Sequence, residues 1–185
     1  MKEFYKKLQE KLFAPASKLL FTEAGVKPVK EVDFYKQQYL TQELFEVLSL
    51  PAVLVQFDII YDEKEVKPAE AQITLHCCYE TIRDTSGRKK VTGDNALKFF
   101  DFVDTVYCLV KDLESENTGK LKITSENQDK NDAIIYTHLL TFKCSYSGRI
   151  VSDKDKYNKT EGDAVLTTES GLVGEIKDFD FEVDP

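Results

Sequence analysis

Tryptophan is absent from this sequence, and histidine occurs only twice, as His76 and His138. That scarcity closes most routes to a catalytic centre. An imidazole base needs an orienting partner, and a zinc site needs several converging nitrogen or thiolate donors; nothing in the spacing supplies either. The four cysteines, Cys77, Cys78, Cys108 and Cys144, include no C-x-x-C pair. Adjacent Cys77 and Cys78 point to opposite faces of one strand, so they neither pair nor share a metal. Buried free thiols in a reducing compartment are the expectation for all four. Phosphate loop, dinucleotide fingerprint and Gly-x-Ser-x-Gly elbow are all missing. Asn127-x-Asp129-x-Asn131 opens like a calcium loop, but Asp132 stands where the turn needs glycine and His138 where it needs a bidentate glutamate. No catalytic motif, cofactor fingerprint or metal-ligand spacing is therefore expected to mark a reactive centre. Residues 1–13 lack the apolar run of a signal peptide, and no apolar run is long enough to span a membrane. These features place the expected product on the cytoplasmic side, with no membrane partner.

What is present reads as a folded domain. Hydrophobic residues make up 42% of 185, too many for a disordered chain and enough for a core without staples. The formal net charge of −8 argues against nucleic-acid binding through the overall field. Its distribution is uneven: residues 153–185 hold ten acidic side chains and four lysines, and so carry most of the excess. The expected organisation is a core domain over 1–148, with an N-terminal helix and connector, and an acidic C-terminal extension or arm over 149–185.

Two alternating runs form the centre of the pattern. Val53, Val55, Phe57, Ile59 and Tyr61 alternate with Leu54, Gln56, Asp58, Ile60 and Asp62; Ala71, Ile73, Leu75, Cys77 and Tyr79 alternate with Gln72, Thr74, His76, Cys78 and Glu80. Period two means strands, and the charged link with Pro68 suits a hairpin end. Ahead of them, Phe4, Leu8 and Leu12 make one face of a short helix from Lys2 to about Leu12, which Pro15 ends or bends. Residues 14–33 read as a connector whose Leu19, Leu20 and Phe21 dock on the core; residues 34–50 fit either a helix or an extended arm. After the hairpin, Thr81–Gly93 is a polar loop holding the main basic cluster, Arg83, Arg88, Lys89 and Lys90, a candidate contact for an acidic partner surface.

A long helix is expected from Asp94, capped by Asp94 or Thr92, with Leu97, Phe100, Val103, Tyr107 and Val110 in one apolar stripe and Phe99, Phe102, Val106, Leu109 and Leu113 beside it. So wide a face suits a helix lying across a sheet. Leu121 and Ile123 suggest a short strand, Ser125–Asp132 a loop, and Ile134–Tyr146 a long strand. The fold class is then α+β: an antiparallel sheet of about four strands with one long helix packed across one face. Near the end, Phe179, Phe181 and Val183 alternate with Asp180, Glu182 and Asp184. Ile176, Phe179, Phe181 and Val183 are the candidate subunit interface, because such a strand waits for a sheet edge.

The segments Phe34-Tyr35-Lys36-Gln37-Gln38, Leu50-Pro51-Ala52-Val53-Leu54-Val55-Gln56-Phe57 and Gln72-Ile73-Thr74-Leu75-His76, in the order helix, hairpin, helix, strands, resemble tail terminator proteins of long-tailed bacteriophages, in particular those of phages and prophages of Bacteroidetes-type hosts. The resemblance covers roughly residues 32–146 and rests on fold-forming residues, not a catalytic signature. It implies a small α+β virion protein without enzymatic activity or cofactor, assembled in the host cytoplasm into a ring, usually a hexamer. The ring caps the tail tube, joins it to the head–tail connector, and lets DNA pass without specific binding. The acidic extension and the N-terminal connector depart from the minimal family pattern and leave open another position in the neck. A monomeric α+β ligand-binding module or an unmarked enzyme is the alternative from a different class.

Overall fold

The computed structural model describes residues 1–61, 69–79, 90–129 and 135–147; for residues 90–96 it describes the backbone alone. The fold is mixed α+β, with a five-stranded sheet and four helices among the described residues. Helix α1 (Lys2–Phe13) presents Phe4, Leu8 and Leu12 on one face, all three fully buried. Each contributes about 1.5–3 kcal/mol by leaving water. Helix α2 (Pro15–Glu23) follows at once. Pro15 does end α1, but it also starts a second helix where a connector was expected. A residue before proline is pushed out of the helical region, and Ala14 accordingly sits at ψ 141°; proline itself fits the first helical position. The Ser17 hydroxyl donates to the Lys11 carbonyl at 2.6 Å and pins the corner.

Gly25 closes α2 at φ +71°, with the Val26 amide bonded to the Phe21 carbonyl and the Gly25 amide to that of Thr22. This left-handed terminator explains why a glycine stands there. It turns the chain into β1 (Glu31–Phe34), an edge strand parallel to β2 (Ala52–Ile60). Between them lies α3, a single turn over Gln42–Phe45. Strands β2, β3 (Ala69–Cys78), β5 (Thr137–Tyr146) and β4 (Lys122–Gln128) are antiparallel neighbours, giving the order β1-β2-β3-β5-β4. The sheet thus has one strand more than expected, and its first pair is parallel. Strand β4 also runs through residues expected to be loop. All seven of its residues are exposed, so no apolar alternation marks it; its pairing with β5 holds it.

Helix α4 (Lys90–Val110) begins four residues before the expected Asp94, so Gly93 lies inside it. Its buried face is Phe99, Phe102, Val103, Val106, Leu109 and Val110, whereas Leu97 and Phe100 are 60% and 52% exposed. The expected stripe is therefore rotated towards its neighbour. The cover over this sheet face is shared: α1, α2 and α4 pack against one another and contribute to one core with Val53, Val55, Ile73, Leu75, Leu140 and Phe142. Phe21 stacks at a tilt on Phe102, 5.6 Å between centroids, while Leu19 and Leu20, expected to dock, are exposed. On the opposite face a smaller core of Tyr39, Ala52, Leu54, Cys78 and Ile135 is roofed by residues 35–50. That roof stops part-way along β2, where Asp58 and Ile60 are exposed.

Candidate functional site

Two features lie outside ordinary core packing: the rim of the sheet and a buried polar chain beneath the roof. The rim is asymmetric. At the β1 edge, α1 caps one carbonyl of the strand: the Tyr5 hydroxyl donates to the Val32 carbonyl at 2.9 Å and the Gln9 amide to the same oxygen at 3.4 Å. At the opposite edge, β4 has no strand on its outer side among the described residues, and its side chains are all in solvent. An open edge is a template for another strand. β4 carries two devices that discourage indiscriminate pairing, a register break between Ile123 and Ser125 and charged residues at Lys122 and Glu126.

Where the β3–β5 end meets the loop before β4, a cleft of about 490 Å³ is lined by Lys120, Lys122 and Lys143 together with Glu70, Gly119 and Ser145. Lys143 bonds Glu70 at 2.6 Å, so the lining retains an excess of positive charge. Gly119 lies so close to β5 that a Cβ there would meet the Ser145 Oγ at 2.6 Å.

Beneath the roof, Tyr39 is fully buried and His76 nearly so. The phenol oxygen of Tyr39 lies 2.6 Å from Asp129 Oδ2 and 2.7 Å from His76 Nδ1. An ionised carboxylate only accepts, so Tyr39 gives its proton to Asp129 and His76 must be the Nδ1–H tautomer donating to the phenol. Nε2 then carries a lone pair, with no partner among the described residues. Tyr35 stacks on the imidazole at 3.9 Å, 16° from coplanar. Burial pushes the Tyr39 phenol well up, and the bond to Asp129 adds to this; burial pulls the His76 imidazole down to about 4. The ring is therefore neutral at pH 7.

No family model and no curated protein matches the chain.

The carboxylate–phenol–imidazole chain has donors and acceptors suited to proton transfer, but its central groups are shut from solvent and none of them lines the lysine cleft. Its clear effect is to tie three distant segments together: the roof, β3 and the end of β4. Among the described residues no set of three or more His, Cys, Asp or Glu could hold a metal. Cys77 and Cys78 do point to opposite faces, one into each core. Burial raises the Cys77 and Cys144 thiols and takes Cys78 up to about 12, which leaves them poor nucleophiles. Cys108, also expected to be buried, is exposed. No described helix is long and apolar enough to cross a membrane.

Of the expected site residues, Arg83, Arg88 and Lys89 lie outside the described residues, and Lys90 opens α4 with its side chain undescribed. Ile176, Phe179, Phe181 and Val183 also lie outside them, as does the whole acidic extension over 149–185. Sequence reasoning missed the Tyr39–His76–Asp129 chain and the lysine cleft. A signal for the first was present: a lone histidine on the partly polar face of a central strand needs a buried hydrogen-bond partner.

Proposed function

We propose that this chain is a structural subunit of the tail terminator type, without enzymatic activity, closing with copies of itself into a ring at the junction of a phage tail and head. The observation that carries this reading is the asymmetric sheet: among the described residues no strand pairs with the outer side of β4, while at the other edge α1 caps the Val32 carbonyl of β1. A subunit whose two sheet edges differ is suited to head-to-tail contacts, and these form closed rings when the rotation per subunit closes. The filled core between helices and sheet is in keeping with a building block. The acidic balance favours a channel through which DNA slides without sticking. Partners on this reading are a second copy, the tail tube protein and the head–tail connector, in a virion assembled in host cytoplasm. Another neck position would use the same surfaces.

Negative-stain imaging of the purified chain tests the proposal: closed rings, hexameric by the resemblance, are the expected result, and uniformly compact monomers would refute it. A second reading, an anion-binding module, is favoured by the cleft at Lys120, Lys122 and Lys143. A thermal shift with inorganic phosphate that is lost in Lys122→Ala would support it, and would separate it from the first because ring formation does not require phosphate.

A further inference from the structure

The first turn of α1 meets the end of β1 and the middle of β2 in a groove of about 460 Å³, whose lining is Met1, Lys2, Tyr5, Lys6, Phe34 and Phe57. Its floor is aromatic. Tyr5 and Phe34 stack at 4.5 Å, and Phe57 meets Phe34 edge-on at 6.0 Å. Phe34 stays 43% exposed although aromatic faces surround it. Lys2 and Lys6 line the groove with no carboxylate among the described lining residues, and Lys6 also pairs with Glu3 at 3.3 Å. A cluster of aromatics left open beside two lysines fits an apolar, acidic segment better than a small polar molecule.

The chain itself contains such a segment. Across Asp178–Asp184, Phe179, Phe181 and Val183 alternate with Asp178, Asp180, Glu182 and Asp184. In an extended conformation the apolar residues share one side and the acids the other. We propose that this groove seats the Asp178–Asp184 segment of a neighbouring copy, with Phe179 and Phe181 over the aromatic floor and the flanking acids near Lys2 and Lys6. The inference rests on the ring reading and gives it a second contact. The segment's chain leaves the described body at Ser147, whose amide bonds the Asn117 carbonyl, with Thr118 bridged to Tyr146 beside it. Thirty residues separate Ser147 from Asp178 in sequence, ample length to cross to a neighbour.

The groove of the same copy is also within reach, since Met1 contacts the Tyr146 hydroxyl at 3.4 Å, so the test must separate the two. Full chain carrying a benzoylphenylalanine photo-cross-linker at position 181 is prepared in light and heavy nitrogen isotope forms, mixed, irradiated and digested. The proposal predicts peptides that join position 181 of one label to the α1 first turn, Phe34 or Phe57 of the other. It also predicts that the full chain with Phe179→Ser and Phe181→Ser associates at least about tenfold more weakly in sedimentation velocity, because two buried rings are lost. Rings that persist with cross-links elsewhere overturn the docking and leave the ring reading standing. Same-label groove cross-links alone overturn the exchange between copies. A monomeric chain without groove cross-links overturns both.

Discussion

Lowering the pH should weaken this protein through His76, and by an amount the structure sets. The imidazole is buried under Tyr35 with Nδ1 on the Tyr39 phenol, and burial holds its pKa near 4. In the unfolded chain it titrates at its ordinary value of about 6.5. The folded value is the lower, so the unfolded state takes up a proton that the folded state refuses. Above the unfolded value both states are neutral and His76 imposes no pH dependence. As pH falls through 6.5 towards 4, stability drops; below the folded value both states are protonated and the contribution levels off. The loss amounts to about 2 kcal/mol between pH 7 and pH 5, and about 3 kcal/mol over the full window. Urea unfolding followed by circular dichroism at pH 7, 6 and 5 measures it, with His76→Gln as the comparison because glutamine does not titrate. The parent should lose about 2 kcal/mol more than the variant between pH 7 and pH 5. Equal pH dependence in both proteins, or an NMR titration placing His76 at or above 6.5, would refute the reasoning.

Three further outcomes follow from particular contacts. Tyr39→Phe keeps the ring but removes the oxygen shared by Asp129 and His76, and should cost about 2–3 kcal/mol in urea unfolding; a loss below about 0.5 kcal/mol would mean the chain of bonds is not formed. Phe102→Ala should cost about 3–5 kcal/mol, while Phe100→Ser on the exposed side of α4 should cost under about 1 kcal/mol, and the reverse order would put the wrong face of the helix on the sheet. Gly119→Ala should destabilise by about 1 kcal/mol through the Ser145 Oγ, and Ser145→Ala in the same chain should recover most of that; additive losses would show that the close approach is not what matters.

The hairpin, the first helix and the core face of β5 were legible because burial on one face writes a period into the sequence. Phe4, Leu8 and Leu12 carry the helical spacing, and Leu140, Phe142 and Cys144 carry the strand spacing, all in one core. Strand β4 was not legible over its full length: exposed on both faces, its residues are free to be polar, and only hydrogen bonds to β5 define it. Strand β1 hid for a different reason. Its four residues are too short to show alternation, and its parallel partner is fixed by a long return through residues 35–51. The rotation of α4 was missed because both stripes are apolar, and tertiary packing chose between them. The Tyr39–His76–Asp129 chain joins positions 37 and 53 residues apart, so spacing alone could not assemble it.

The central claim is that the β4 edge, left without a strand on its outer side among the described residues, is completed by another copy of the chain. Sedimentation equilibrium of the full-length protein across a broad concentration range tests it most directly. A single closed species with the mass of a small whole-number ring, with backbone amides of Lys122–Gln128 protected from hydrogen exchange in that species, is the predicted result. A mass of one chain, 21.2 kDa, at every concentration, with those amides exchanging freely, would contradict it.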